Sequence, residues 1–177
     1  MAATRRLQDA LTGADAPIEI LRAAARSVED AATALEEYQV DWRDHVTGMQ
    51  MHLPGRGQTL SPPAYVDRLD KHRLTARWTF TRFYRGGGGV VHGGTIPLIV
   101  DEMCGRLASH VHDGRSRTAY LKVDYRKVTP LDRELRFETW VERHEGRKLF
   151  VAGALRDGDD LLCEVSGLFI ALLPGQI

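Results

Sequence analysis

The sequence predicts an α+β protein in which one long helix lies against a curved antiparallel sheet. Three observations carry this expectation. Between about Gly94 and His112, the residues Ile96, Ile99, Val100, Met103, Leu107 and Val111 fall on one face at helical spacing. Segments on either side of that stretch alternate apolar and polar residues with the period of two that marks strands. The turn-forming pairs Glu145-Gly146 and Asp157-Gly158 separate the later segments. The helices do not alternate with the strands, which argues against a doubly wound parallel sheet.

Taken in order, residues 1–40 read as an N-terminal helical extension and residues 41–177 as the main domain. Leu7, Leu11, Ala14, Ile18, Leu21, Ala25, Val28, Ala32 and Leu35 recur at alternating spacings of three and four, an amphipathic seam. Gly13 and Pro17 interrupt it, so a second helix starts at Pro17 and runs to about Tyr38. Its alanine-rich seam buries little area alone, and the helix is expected to pack on the main domain or on a partner subunit. Residues 41–72 are less regular. Val46 to Leu53 is expected as a short strand, and Pro54, Gly55, Gly57, Pro62 and Pro63 mark a loop. A strand then spans Leu74 to Tyr84, followed by the run Gly86 to Gly89 and the long helix. Four further strands, over 121–126, 135–142, 149–155 and 161–172, are expected to form a meander. A helix of about 19 residues is ~28 Å long, a match for strands of this size.

Composition narrows the function. Lysine plus arginine and aspartate plus glutamate each number 24, and a net charge of zero gives no support for nucleic-acid or membrane-surface binding. No apolar run reaches the roughly 18–20 residues that span a bilayer. The N-terminus has no continuous apolar stretch of the kind a signal peptide carries. Two cysteines, Cys104 and Cys163, are too few for a disulfide framework and fit free thiols in a reducing cytoplasm.

The residues that carry chemistry converge on the start of the long helix and its third turn. Asp101 belongs neither to the apolar face nor to the polar side of Glu102, Arg106 and Ser109. Its neighbours on the helical wheel are Pro97, Cys104, Gly105 and Ala108, all small or apolar. Partial desolvation of this kind prepares carboxylates for general-base or nucleophilic work. His92-Gly93-Gly94 opens the same helix. Its glycines let a substrate approach the backbone, and the first-turn amides favour negative charge, so the turn is a candidate oxyanion site. His92 can polarise a carbonyl or order the turn. The glycine run matches no phosphate- or dinucleotide-binding pattern and reads as a rim. There is no G-x-S-x-G elbow, Cys104 reads as packing, and His110-x-His112 lacks a third metal ligand.

The segment Gly89-Val90-Val91-His92-Gly93-Gly94 with Asp101 nine positions after the histidine resembles the hotdog-fold acyl-CoA thioesterase superfamily, specifically its phenylacetate-pathway and THEM-like members. The similarity continues through 117–125, Thr129-Pro130-Leu131, 145–148 and 164–169, and covers about residues 45–173. It implies a central helix wrapped by a curved sheet, with a homodimer or dimer of dimers (homotetramer) joined at sheet edges and active sites at the dimer interface. By position it implies that the amide of Gly93 or Gly94 binds the thioester oxygen while His92 supports the loop. Asp101, from the other subunit, attacks the carbonyl or activates water, and a strand hydroxyl, Thr118 or else Tyr120, assists. Some members carry Asn or Gln six residues before the histidine, where this chain has Gly86. The implied reaction is hydrolysis of an acyl-CoA or acyl-carrier thioester to acid and thiol. It needs no metal and no cofactor beyond the CoA thioester substrate. The rival readings are a non-catalytic acyl-CoA-binding or structural hotdog protein, which has no need of an acid at Asp101, and a hotdog dehydratase, whose Asp/His arrangement is not found.

Overall fold

The computed structural model describes residues 1–176. The chain divides into two compact units, the first Met1–Gln58 and the second from Thr59 on.

In the first unit α1 spans Ala2–Gly13 and α2 spans Ile18–Glu36. The break falls where glycine and proline place it, and Pro17 is the N-cap of α2. No residue of either helix is buried. The strand expected over Val46 to Leu53 is absent. Two tight turns stand there instead, closed by Met49 N–H to Val46 O at 3.1 Å and Leu53 N–H to Gln50 O at 2.9 Å. Gly48, at φ 84, turns the chain in the left-handed region and breaks the extended run.

The second unit holds a six-stranded antiparallel sheet and one long helix, the α+β hotdog arrangement expected. The strands are β1 (Tyr65–Leu69), β2 (Arg73–Thr79), β3 (Ser116–Tyr125), β4 (Glu134–Glu145), β5 (Lys148–Asp157) and β6 (Asp160–Ala171), and α3 spans Thr95–Val111. Their order in the sheet is β1-β2-β4-β5-β6-β3. β1 was not legible as a strand. A register shift between Val66 and Arg68 breaks the alternation that would have marked it. The strand expected to reach Tyr84 ends at Thr79, and Arg82–Tyr84 turns as a short 3-10 helix.

The meander also has three strands rather than four. β4, β5 and β6 follow one another through two-residue loops that begin at Gly146 and Gly158, each at φ 57. Glycine at the first loop position is the choice of type II′ turns. β3 pairs with β6 at the far edge instead of with β4. The eight residues between β3 and β4 contain Pro130 and no hairpin pair, so the chain crosses before it rejoins the sheet. That crossing segment ties down the start of α3 by accepting Val91 N–H on Thr129 O at 2.9 Å, and it donates Asp132 N–H to Phe80 O at 2.8 Å.

α3 packs against β2, β3, β4 and β6. It buries Ile96, Ile99, Val100, Met103, Cys104, Leu107 and Ala108 against inward residues that include Leu74, Trp78, Phe137, Leu155 and Phe169. Trp78 lies edge-on to Phe80 and tilted against Phe137, with centroids 6.2 and 5.6 Å apart. The helix side expected to be fully solvated is half-covered, because buried Ser61 donates to Glu102 Oε2 at 3.0 Å. At the other end Lys71 caps α3. Its ammonium donates to the carbonyls of His110 at 2.6 Å and Val111 at 3.4 Å and pairs with Asp113.

Beside that cap His112 lies half-buried against His144, centroids 5.1 Å apart, and its Nδ1 is 2.8 Å from Ser116 Oγ. Burial first, then the positive charges of His144 and Lys71, push its pKa below the ordinary 6.5. The unfolded chain therefore binds this proton more readily than the fold. The stabilisation is complete above about pH 6.5 and is lost as pH falls below it through the depressed value. A His112→Asn variant should lose less stability than the parent between pH 7 and pH 5, read as the change in Tm across that interval. An equal loss in both proteins would remove His112 as the cause.

Candidate active site

The turn before α3 is fixed by its backbone. Gly86 N–H donates to Val90 O at 2.7 Å, Arg85 bridges Val91, and His92 N–H donates to Tyr84 O at 2.8 Å. Gly88 and Gly89 then turn through the left-handed region at φ 67 and 77, with open space where side chains would stand. This is the rim the glycine run suggested.

Each peptide group of the turn has a distinct fate. Gly94 N–H donates to His92 Nδ1 at 3.1 Å, so Nδ1 is unprotonated there and a neutral ring carries its hydrogen on Nε2. Thr95 N–H donates to His92 O at 2.9 Å, and Ile96 N–H to Gly93 O at 3.3 Å. Tyr125 Oη also donates to Gly93 O, at 2.7 Å. Among the described residues the N–H of Gly93 is left with no acceptor. A trans peptide sets its N–H opposite its C=O. With His92 O directed at Thr95, the Gly93 N–H is directed away from the helix, at an exposed residue. Of the two glycine amides that sequence left open as oxyanion donors, Gly94 is engaged by the histidine and Gly93 is available.

Beside Gly93 runs a groove of about 300 Å³. Val90, Val91, Ile96 and Val128 give it apolar walls, and Tyr125, Arg126 and Lys127 stand along it. Both cations are already paired, Arg126 with Glu164 and Lys127 with Asp160. Tyr125 is the residue that sequence reasoning missed. Its contact reaches across 32 positions, and a tyrosine ending an alternating strand carries no local sign of it. Burial raises its phenol pKa, with the nearby Cys163 adding to the effect, so it remains a donor at neutral pH.

Asp101 is half-buried on α3, and Thr118 Oγ1 of β3 donates to its Oδ1 at 2.8 Å. The β3 bulge between Thr118 and Tyr120 shifts the register at this point, and Tyr120 is exposed. The structure thus brings Asp101 and Thr118 together and brings His92, Gly93 and Gly94 together, but the two groups stay apart within one chain. Gly93 and Asp101 are eight residues apart, and a helix rises ~12 Å over that interval.

The other nucleophiles are closed off. Cys104 has no solvent exposure, lies 3.5 Å from Thr139 Oγ1, and burial pushes its pKa up to about 12. Cys163 is likewise buried, and its pKa is pushed up to about 11. Among the described residues no three His, Cys, Asp or Glu side chains are grouped to hold a metal, and no helix is long and apolar enough to cross a membrane.

Gly86 stands where some similar sequences carry an amide side chain. A Cβ there would lie 2.8 Å from His92 Cα and 3.2 Å from His92 N. The backbone of this turn thus has no room for any side chain at 86. Gly86→Ala should cost about 1–3 kcal/mol by overpacking. Gly87→Ala, whose Cβ meets nothing within 4 Å, should cost far less. Chemical denaturation of the two variants side by side measures this, and equal losses would refute the close approach.

Comparison with known proteins places the chain among similar sequences and folds. A family model described as Thioesterase superfamily matches residues 88–164, the span that holds the His92 turn, Asp101 and Thr118. The acyl-coenzyme A thioesterase THEM4 of Xenopus laevis is 37% identical over 94 residues, 52% of this chain and 42% of that protein. THEM4 of Mus musculus is 37% identical over 92 residues, 51% of this chain and 39% of that protein. The chain thus spans less than half the length of these curated relatives. A crystal structure of a thioesterase superfamily protein superposes with TM-score 0.80 at 29% identity, over 96% of this chain and 87% of that one. A hypothetical thioesterase protein from Streptococcus pneumoniae TIGR4, solved with coenzyme A, shares the fold at TM-score 0.58 and 12% identity, over 61% of this chain and 87% of that one. By fold this chain carries a hotdog domain, and residues 88–164 within it match the Thioesterase superfamily model.

Proposed function

We propose that the protein hydrolyses acyl-CoA thioesters at sites shared between two copies of the chain. The observation that carries the reading is the unengaged N–H of Gly93, aimed outward beside an apolar groove while the amides of Val91, His92, Gly94, Thr95 and Ile96 are satisfied internally. It is placed to receive the thioester carbonyl oxygen and to hold the charge that develops there. His92 accepts the Gly94 amide and Tyr125 holds the Gly93 carbonyl, so the donor is oriented before substrate arrives.

Asp101 supplies the carboxylate. Thr118 occupies Oδ1 and leaves Oδ2 for a water or for the carbonyl carbon. As a general base, Asp101 takes a proton from water while the water oxygen bonds to the carbonyl carbon. The tetrahedral oxyanion rests on Gly93 N–H, and its collapse breaks the carbon–sulfur bond. The thiolate leaves and takes up a proton. As a nucleophile, an Asp101 carboxylate oxygen bonds to the carbonyl carbon, and collapse of the adduct breaks the carbon–sulfur bond and expels the thiolate. Water then cleaves the mixed anhydride to the free acid and the regenerated Asp101 carboxylate. Reacting atoms must come within ~3–3.5 Å. Asp101 is too far along α3 to meet a carbonyl held by Gly93 of its own chain, so the acid comes from a second copy. β3 pairs on one side only among the described strands, and it carries Thr118. A second β3 on that open edge would extend the sheet and bring the two half-sites together. The family match and the acyl-coenzyme A thioesterase relatives support the thioester class and the CoA leaving group.

Purified protein offered a panel of acyl-CoAs should release free thiol. Asp101→Ala should lower kcat by about 10²- to 10⁴-fold, the range for loss of a positioned base. An Asp101→Ala protein as active as the parent would sink the mechanism, and a parent that binds acyl-CoA without turnover would favour the non-catalytic reading. Tyr125→Phe keeps the ring and removes the bond to Gly93 O. Its kcat should drop about tenfold with KM little changed, less than the 10²–10³ that deleting an oxyanion donor costs. A change in KM alone would make Tyr125 a wall of the groove and not a positioning residue.

A further inference from the structure

α2 is a nineteen-residue helix with an apolar stripe that nothing else in its own unit covers. Ile18, Leu21, Val28 and Leu35 are all exposed, between 39% and 62% of their surface. Most helical stability in proteins comes from packing of an amphipathic face. Its first turn carries Glu19, in accord with the dipole, but the charges of its C-terminal half are set against it. From Ile18 to Ser27 there are two arginines and one glutamate, a net of +1. From Val28 to Glu37 there are four acids and no base, a net of −4. No basic residue lies in the last turn. Acids near a C-terminus disfavour a helix that stands alone. Among the described residues Arg22, Arg26 and Glu29 make no ion pair with their own chain.

We infer that α2 is an interaction surface for α2 of a second copy of this chain, packed antiparallel about a two-fold axis between Arg26 and Ser27. The seam positions are self-complementary in that register and run Ile18, Leu21, Ala25, Val28, Ala32, Leu35. Reversed, they place Ile18 against Leu35, Leu21 against Ala32 and Ala25 against Val28. Each large residue at the ends meets another, and each alanine meets a larger side chain, so the layers interdigitate. Arg22 and Glu29 occupy the same flank, one heptad apart, and an antiparallel partner sets Arg22 of each copy beside Glu29 of the other. The basic half of one helix then lies along the acidic half of its mate, and the two dipoles oppose. A parallel pair would instead align acid with acid over the whole C-terminal half. The contact is isologous, as closed two-fold assemblies require, and it is independent of the thioesterase reading.

Cross-linking of the full chain tests this directly. The native Cys104 and Cys163 are buried and stay out of the reaction. A double variant, Ile18→Cys with Leu35→Cys, should form reducible covalent dimers under mild oxidation, while each single variant should not. Efficient cross-linking of Ile18→Cys alone would mean parallel helices and would overturn the inference, as would no cross-linking of the double variant. In that cysteine background Arg22→Glu or Glu29→Arg should slow cross-linking several-fold at low salt, and the two together should restore it. Failure of the charge swap to restore the rate would overturn the pairing register. Circular dichroism and acyl-CoA hydrolysis, read on the same variants, report whether the hotdog unit is intact.

Discussion

Seven side chains of α3, from Ile96 to Ala108, are withdrawn from water against the inward residues of the sheet. That contact supplies the hydrophobic stabilisation of the second unit, and it fixes where the chemistry can stand. A helix held by one face has one end at which its first amides emerge and two flanks that meet the sheet's edges. The His92 turn is the emerging end. Asp101 lies on the flank that meets β3, which is why the Thr118 hydroxyl reaches it. Small residues on that flank are part of the same packing. A Cβ added at Gly105 would meet Phe169 Cε1 at 3.6 Å, an ordinary contact, and Cys104 and Ala108 are wholly buried.

The turn before α3 works by exhausting its own hydrogen bonds. Helix starts leave amides without intrahelical partners, and here all but one have been given local acceptors. The histidine acts first on the backbone, through its Nδ1. The tyrosine acts on the carbonyl of the same glycine from a strand 32 residues away. What remains is a single directed donor in place of a diffuse positive end. The absence of a side chain at Gly86 belongs to this economy, because the backbone of His92 occupies the space an added Cβ would need.

Separation of Asp101 from that donor along the helix is equally consequential. A self-sufficient site would need both within one turn. Their spacing over two turns is what leads the proposed mechanism to take its carboxylate from a second copy. Among the described strands the β3 edge is open, which is the surface the proposed pairing uses.

The long helix, its apolar face, the hairpins at Gly146 and Gly158 and the isolation of Asp101 were legible in the sequence, because each follows from spacing within a few residues. The break between α1 and α2 was legible for the same reason, through Gly13 and Pro17. β1, the early end of β2 and the crossing from β3 to β4 were not, since a bulge, a 3-10 turn and the length of a connection interrupt the local period. The strand expected over Val46 to Leu53 failed because turn hydrogen bonds and Gly48 outweighed its apolar residues. Sequence pattern by itself determined which helix packs on the sheet and which carboxylate stands apart on it. Only the tertiary structure decided which glycine amide is left unengaged, that Tyr125 holds that peptide, and that Thr118 rather than Tyr120 meets Asp101. Those choices depend on which distant group arrives first at each hydrogen-bonding atom, and short-range periodicity does not encode the meeting of residues 17 and 32 positions apart.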